Sequence, residues 1–266
     1  NLRQTGLAAL LHAEIHKHLP SGGWGNEWIG FRDRGFGPDQ PGGWIFNILP
    51  FCEAQSIRDL GPATSIPLAP TRMSEFVTST IAVLICPERG GDPYVNVTPR
   101  YQFSLGGALR RAARTDYAIC SGSGDLETLG GPATLDPGDT QGFAWPSFPD
   151  FNGVSHIRSR IRLRDIHDGL SQVILIGERF SWCEIDDEGE NQPMYSGDCW
   201  DIRRSTHLSP ARDANEIGNA SAFGSAHASE TAFLFCDGSV RNIAYDVNPL
   251  VYIPLGGRND SGRVPD

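Results

Sequence analysis

An α+β fold, with an N-terminal amphipathic helix packed on an antiparallel β-sheet and long irregular loops between, follows from three features of the 266-residue sequence. A helical apolar repeat opens the chain, an unbroken apolar run occupies 173–176, and two strand-like runs flank Asp237-Gly238 near the C-terminus.

The helix comes first. Leu7, Leu11, Ile15 and Leu19 recur every four positions, with Leu2 and Leu10 beside that stripe, until Pro20-Ser21-Gly22-Gly23 stops the pattern. Arg3, Gln4, Glu14 and Lys17 form its polar side. Gly6 costs such a helix about 1 kcal/mol relative to Ala, so the helix needs a partner surface.

Residues 22–43, rich in Gly, Trp and charge, read as an ordered loop, and helical character returns over 44–60. The stretch 74–86 starts with polar helix formers and ends in Ile81-Ala82-Val83-Leu84-Ile85-Cys86-Pro87. Periodicity leaves this end open between a short buried strand and the end of a helix. Residues 88–150 carry many turn formers and little periodicity, and are expected to be an irregular insertion. The sheet region is placed at 160–266, with Val173-Ile174-Leu175-Ile176-Gly177-Glu178 as a buried strand. The runs at 231–236 and 239–243, joined by Asp237-Gly238, predict a tight hairpin with a type I′ turn, in which both central residues take positive φ. No repeat and no linker divides the chain, so one domain spans 1–266.

Charge and composition narrow the function. Lys and Arg number 22 against 32 Asp and Glu, a net charge of −10, and Lys17 is the single lysine. Such a chain lacks a broad footprint for nucleic acid or anionic lipid. No stretch approaches the roughly 20 apolar residues that span a bilayer. The six cysteines contain no C-x-x-C pair, which argues against a cysteine-built zinc site. No P-loop, dinucleotide fingerprint or nucleophile elbow is present.

From His227, nine residues lead to Asp237-Gly238, a His-X(9)-Asp-Gly arrangement. It resembles the C-terminal signature of a prepilin-type, processing-associated domain in a large family of unknown function abundant in planctomycetes. Asn1-Leu2-Arg3-Gln4-Thr5-Gly6-Leu7 is similar to that family's first segment, and Leu84-Ile85-Cys86-Pro87 to its F-x-C-P element. Arg164 to Ser171, with Asp168-Gly169, and Leu175-Ile176-Gly177-Glu178 resemble its central block, and Phe235-Cys236-Asp237-Gly238-Ser239-Val240 its last one. His167 departs from the usual Thr, and 88–150 does not align.

The resemblance implies a type IV pilin-like or pseudopilin-like subunit. Residues 1–19 would then be the C-terminal half of a long first helix whose hydrophobic part lies upstream of Asn1. Partners would be like subunits or other pilins joined through that part, which would also be the sole membrane contact. The location would be extracytoplasmic: cell surface, periplasmic or secreted. No enzymatic activity is expected.

Four groups of residues stand out as candidate sites. His227, Asp237 and Glu178 could be drawn as a metal or catalytic cluster, but are read, with Gly238, Asp168 and Gly169, as structural motif residues. On that reading His227 is a buried hydrogen-bonding side chain. A strand of six residues separates it from Asp237 by about 20 Å, so the two are expected at opposite strand ends. Asp186, Asp187, Glu190 and Asp198 could supply oxygen ligands to calcium, although the spacing is not that of an EF-hand and no cofactor is required. Cys183 and Cys199 bracket this acidic loop, and in an oxidising location are expected to form a disulfide, while Cys236 stays unpaired. Trp24 and Trp28 are the best candidates for an exposed platform that would stack on a sugar. They carry the alternative function, an extracellular glycan- or solute-binding module, and a metal-dependent hydrolase centred on His227 ranks last.

Overall fold

The computed structural model describes residues 1–65, 69–97, 110–125, 127–140, 142–146, 151–181, 191–213 and 221–259. Among these, the strands are β1 (Tyr94–Asn96), β2 (Arg111–Ala113), β3 (Tyr117–Cys120), β4 (Ile174–Glu178), β5 (Arg203–Arg204), β6 (Ala211–Arg212), β7 (Gly224–Ser225), β8 (Glu230–Phe235) and β9 (Val240–Ala244). The main sheet has the order β5-β3-β4-β8-β9. It is antiparallel throughout except for the parallel pair β3/β5. The expected α+β class holds, with the 173–178 strand at the centre of the sheet and the C-terminal hairpin beside it, out to the β9 edge.

The first helix, α1 (Leu2–His16), lies on this sheet, but its orientation corrects the sequence reading. Its buried face is Leu2, Thr5, Gly6, Ala8, Ala9, His12 and Ala13, whereas Leu7, Leu11 and Ile15 are 59%, 41% and 61% exposed. The small side chains decide this. A Cβ at Gly6 would overlap the methyl groups of Leu234 in β8, so the glycine that weakens the helix is where helix and sheet meet. Leu19 is fully buried, but the helix has ended by then, with Lys17 in the left-handed conformation. No described helix is long and apolar enough to cross a membrane.

The expected helix over 44–60 is split. α2 (Trp44–Ile48) runs into a 3-10 turn at Leu49–Cys52, and after Glu53 at φ 58° α3 (Gln55–Leu60) begins. α4 (Pro70–Thr78) ends at an extended Ser79, and the Ile81–Ile85 run forms a separate 3-10 turn at Ala82–Leu84, so it is neither a strand nor the end of that helix.

The stretch 88–150 is not an irregular insertion, because it contributes the β1/β2 pair and β3, which lies inside the main sheet between β4 and β5. Tyr117-Ala118-Ile119-Cys120 is buried at every position. Four residues without alternation carry no periodic signal. The hairpin exists, but its turn differs from the expected one. Gly238 has φ 84° while Asp237 keeps negative φ, and Gly238 N–H donates to Phe235 O at 2.9 Å. This is a type I turn closed by a left-handed glycine, the three-residue alternative to type I′.

Candidate functional site

The last residue of β4, Glu178, is 3% exposed and gathers four partners. Its Oε2 accepts hydrogen bonds from Ala232 N–H at 3.0 Å and Thr231 Oγ1 at 3.4 Å, both on β8. Its Oε1 accepts from the Cys86 thiol at 3.2 Å and lies 3.5 Å from Nε2 of His227. One oxygen is therefore held by the sheet, and the other is shared by a thiol and an imidazole. The Cys86 Sγ and the nearest Glu178 oxygen and His227 nitrogen all lie within 4.8 Å of one another. They face a cavity of about 340 Å³ whose wall also includes Asn1, Leu2, Pro87, Tyr117 and Ala232.

Each member is fixed by its surroundings. Cys86 N–H donates to Asp116 Oδ2 at 2.7 Å, and Asp116, wholly buried, ion-pairs with Arg114 and with Arg89 at 2.8 Å. Arg89 also reaches Asp213 at 2.8 Å and the Arg179 carbonyl at 2.5 Å. Burial opposes its charge, but Asp116 and Asp213 outweigh that and raise its pKa. The segment after Pro87 is thus clamped to the sheet, and Asn1 Nδ2 ties the start of α1 to Ile85 O at 2.6 Å. Burial, reinforced by Glu178, also pushes the Cys86 thiol up. His227 N–H donates to Ser225 Oγ at 3.2 Å, and its carbonyl accepts from Tyr245 OH at 2.9 Å. Its side chain is 39% exposed, which corrects the expectation of a buried histidine. The chain bends through 226–229, and the ring forms part of the cavity wall.

The other motif residues gather elsewhere. Asp237 Oδ1 accepts from Ser239 N–H at 2.8 Å and Ser239 Oγ at 2.6 Å, and Asp237 N–H donates to Leu170 O at 3.0 Å. Leu170 follows Asp168 and Gly169, the latter at φ 97°. The two Asp-Gly turns therefore meet at the far end of β4 and β8, where Ile174 pairs with Phe235. As expected from strand length, His227 and Asp237 do not share a site. Glu178, whose position the sequence left open, lies with His227.

The aromatic platform is overturned. Trp24 is fully buried and Trp28 is 2% exposed. Their rings stand 5.0 Å apart, Trp145 packs on Trp24 at 5.3 Å, and the two indole N–H groups donate to Pro38 O and Pro132 O, each at 2.9 Å. Neither presents a face to a sugar, because this loop region builds its own small core. Cys183 and the acidic residues Asp186, Asp187 and Glu190 lie outside the described residues. Of their expected companions, Cys199 is a buried free thiol, and Asp198 is buried against Arg203 at 2.8 Å, away from solvent. Cys236 is also a buried free thiol.

Sequence reasoning missed Cys86 as a member of the cluster. With no second cysteine at a metal-ligand spacing, the cysteines gave no sign of it. The available signal was the F-x-C-P-like element itself, for three separate blocks (Cys86-Pro87, Gly177-Glu178 and His227) converge on one cavity. Thiol, carboxylate and imidazole together can hold a divalent ion or exchange protons, and among the described residues they are the one such group of three or more.

No curated protein and no solved structure matches the chain. A family model described as a protein of unknown function (DUF1559, SBP_bac_10) matches residues 1–250. That match takes in α1, the Cys86 turn, β4 and the whole hairpin, and so the chain belongs to the DUF1559 family.

Proposed function

We propose that this chain is a non-enzymatic, extracytoplasmic structural subunit, pilin-like or pseudopilin-like, that assembles with like subunits along its N-terminal helix. One observation carries the reading. A helix lying on a sheet ordinarily turns its large apolar residues inward. α1 departs from this, seating Gly6, Ala8, Ala9 and Ala13 on the protein beside Leu2, while Leu7, Leu11 and Ile15 form an outward row at i, i+4 and i+8. Single exposed leucines are ordinary, but a row along one helix is a surface for another helix.

The test is association of the full-length precursor in membranes, read by chemical crosslinking. Leu7→Ser, Leu11→Ser and Ile15→Ser combined should abolish crosslinked multimers and leave the melting temperature of the globular part within a few degrees. Multimers formed equally well by the triple variant would overturn the reading.

A further inference from the structure

We propose that Cys86, Glu178 and His227 form a zinc site with three protein ligands and one open position. The distances fit. Zinc bonds of about 2.0–2.3 Å set tetrahedral ligand atoms roughly 3.3–3.7 Å apart. Sγ of Cys86 stands 3.2 Å from Oε1 of Glu178, and Nε2 of His227 stands 3.5 Å from the same oxygen. All three atoms lie within 4.8 Å of one another, so a small rotation of His227, the exposed member, closes the set.

The surroundings supply what a metal site needs beyond its ligands. Ala232 N–H and Thr231 Oγ1 occupy Oε2 of Glu178, which leaves Oε1 as a single, aimed donor. Asp116 holds the backbone of Cys86, and Ser225 and Tyr245 hold that of His227. The ligand types select the ion, because thiolate and imidazole favour zinc over calcium or magnesium, which take oxygen. Charge agrees as well. One thiolate and one carboxylate neutralise Zn²⁺ beside a neutral imidazole, in a cavity walled partly by Leu2, Pro87 and Ala232. On binding, the Cys86 S–H proton passes to solvent, and the six-coordinate aqueous ion gives up five waters, gains three bonds to protein atoms and keeps one water at the open position. The ion would join the turn after α4, the end of β4 and the entry to β8, three segments distant in sequence.

Chelator-stripped protein should take up one Zn²⁺ per chain in equilibrium dialysis and melt at a higher temperature with it. Co²⁺ in its place should give the near-ultraviolet charge-transfer absorption of a cobalt–thiolate bond. Cys86→Ser should abolish that absorption, and His227→Ala should weaken Zn²⁺ binding by more than the ~10–100-fold that outer-shell changes alone bring. Asp237→Asn, at the far end of the strand, should bind as the parent does. Because Cys86 is buried, His227→Ala and the cobalt spectrum of the parent protein decide the matter if Cys86→Ser does not fold. Stripped protein that takes up no Zn²⁺, a cobalt spectrum without the thiolate band, or unchanged affinity in His227→Ala would each overturn the assignment.

Discussion

The two ends of β8 carry the two halves of one sequence signature and differ in almost every physical respect. At its start, Glu178 is buried, and its carboxylate gathers a thiol from the Cys86 turn and an imidazole, a backbone N–H and a hydroxyl from 227–232. At its finish, Asp237 bonds two atoms of Ser239, two residues away, beside a second Asp-Gly turn. The first is a tertiary constellation facing a cavity, and the second is turn chemistry that sets where a hairpin reverses. Regular spacing in a sequence therefore does not mark residues that work together. An extended strand carries them apart at about 3.3 Å per residue, while the sheet register brings unrelated segments together.

The largest effect should come from the buried carboxylate. Glu178→Ala leaves the Ala232 N–H without its side-chain partner and deletes the acceptor of the Cys86 thiol. Loss of a hydrogen bond to a buried charged group costs about 1.5–3 kcal/mol, so denaturant unfolding should show a loss near 3 kcal/mol. A loss below 1 kcal/mol would mean that the two ends are energetically alike and the comparison fails.

A smaller loss is expected at the turn from Gly238→Val. The backbone there sits at φ 84°, a region that costs a β-branched residue about 1–2 kcal/mol, and the added Cβ would stand 3.4 Å from Leu10. The same substitution should leave the Cys86–Glu178–His227 cavity intact, because the whole of β8 lies between. A melting temperature unaffected by the change would show that the turn can rearrange to the other hairpin type.

His227→Ala should fall below both in its effect on stability. The side chain is 39% exposed and its Nε2 lies 3.5 Å from Oε1 of Glu178, so less than about 1 kcal/mol is at stake. This reverses the expectation that a sequence-only reading attaches to a histidine just ahead of a buried strand. A loss of 2 kcal/mol or more in urea unfolding would restore the view of His227 as a structural tie.

What the sequence made legible follows the same division. β4 and the hairpin were visible because five or six consecutive residues repeat one kind of environment, and a turn dipeptide punctuates them. β3 was not, since four wholly buried residues look like any short apolar run. The stripe in α1 was read correctly as helical but placed on the wrong side. Periodicity reports where large apolar residues lie and says nothing of the close approach that Gly6 and the alanines allow. The site was half legible. Glu178 and His227 could be named from their blocks, but strand order decides that Glu178 meets His227, and Cys86 arrives through a turn held by a buried arginine network.

An effect no larger than that of His227→Ala, and the sharpest check on the turn end, belongs to Asp237. Hydrogen bonds from Ser239 hold its carboxyl below the usual carboxylate range. The sign follows from proton binding. The unfolded chain binds a proton near pH 3.8 that the folded chain still refuses, so the carboxylate's contribution is complete above that pH and is lost as pH falls through the folded value. Asp237→Asn keeps the shape and removes the charge, so it should cost about 0.5–1 kcal/mol at pH 7 and nearly nothing in strong acid. Acid also acts elsewhere. Burial depresses His12 to about 3 and His156 to about 4, so protonation of these histidines in the unfolded chain destabilises the fold as pH drops below 6.5. That loss is common to parent and variant and cancels in their difference. Urea unfolding of both proteins from pH 7 down to the lowest pH at which the parent still folds should show the gap constant until about pH 4 and narrowing below it. A gap that already closes between pH 7 and 5 would mean that Asp237 acts through a group other than its own carboxylate, and the turn end could no longer be treated as a local device.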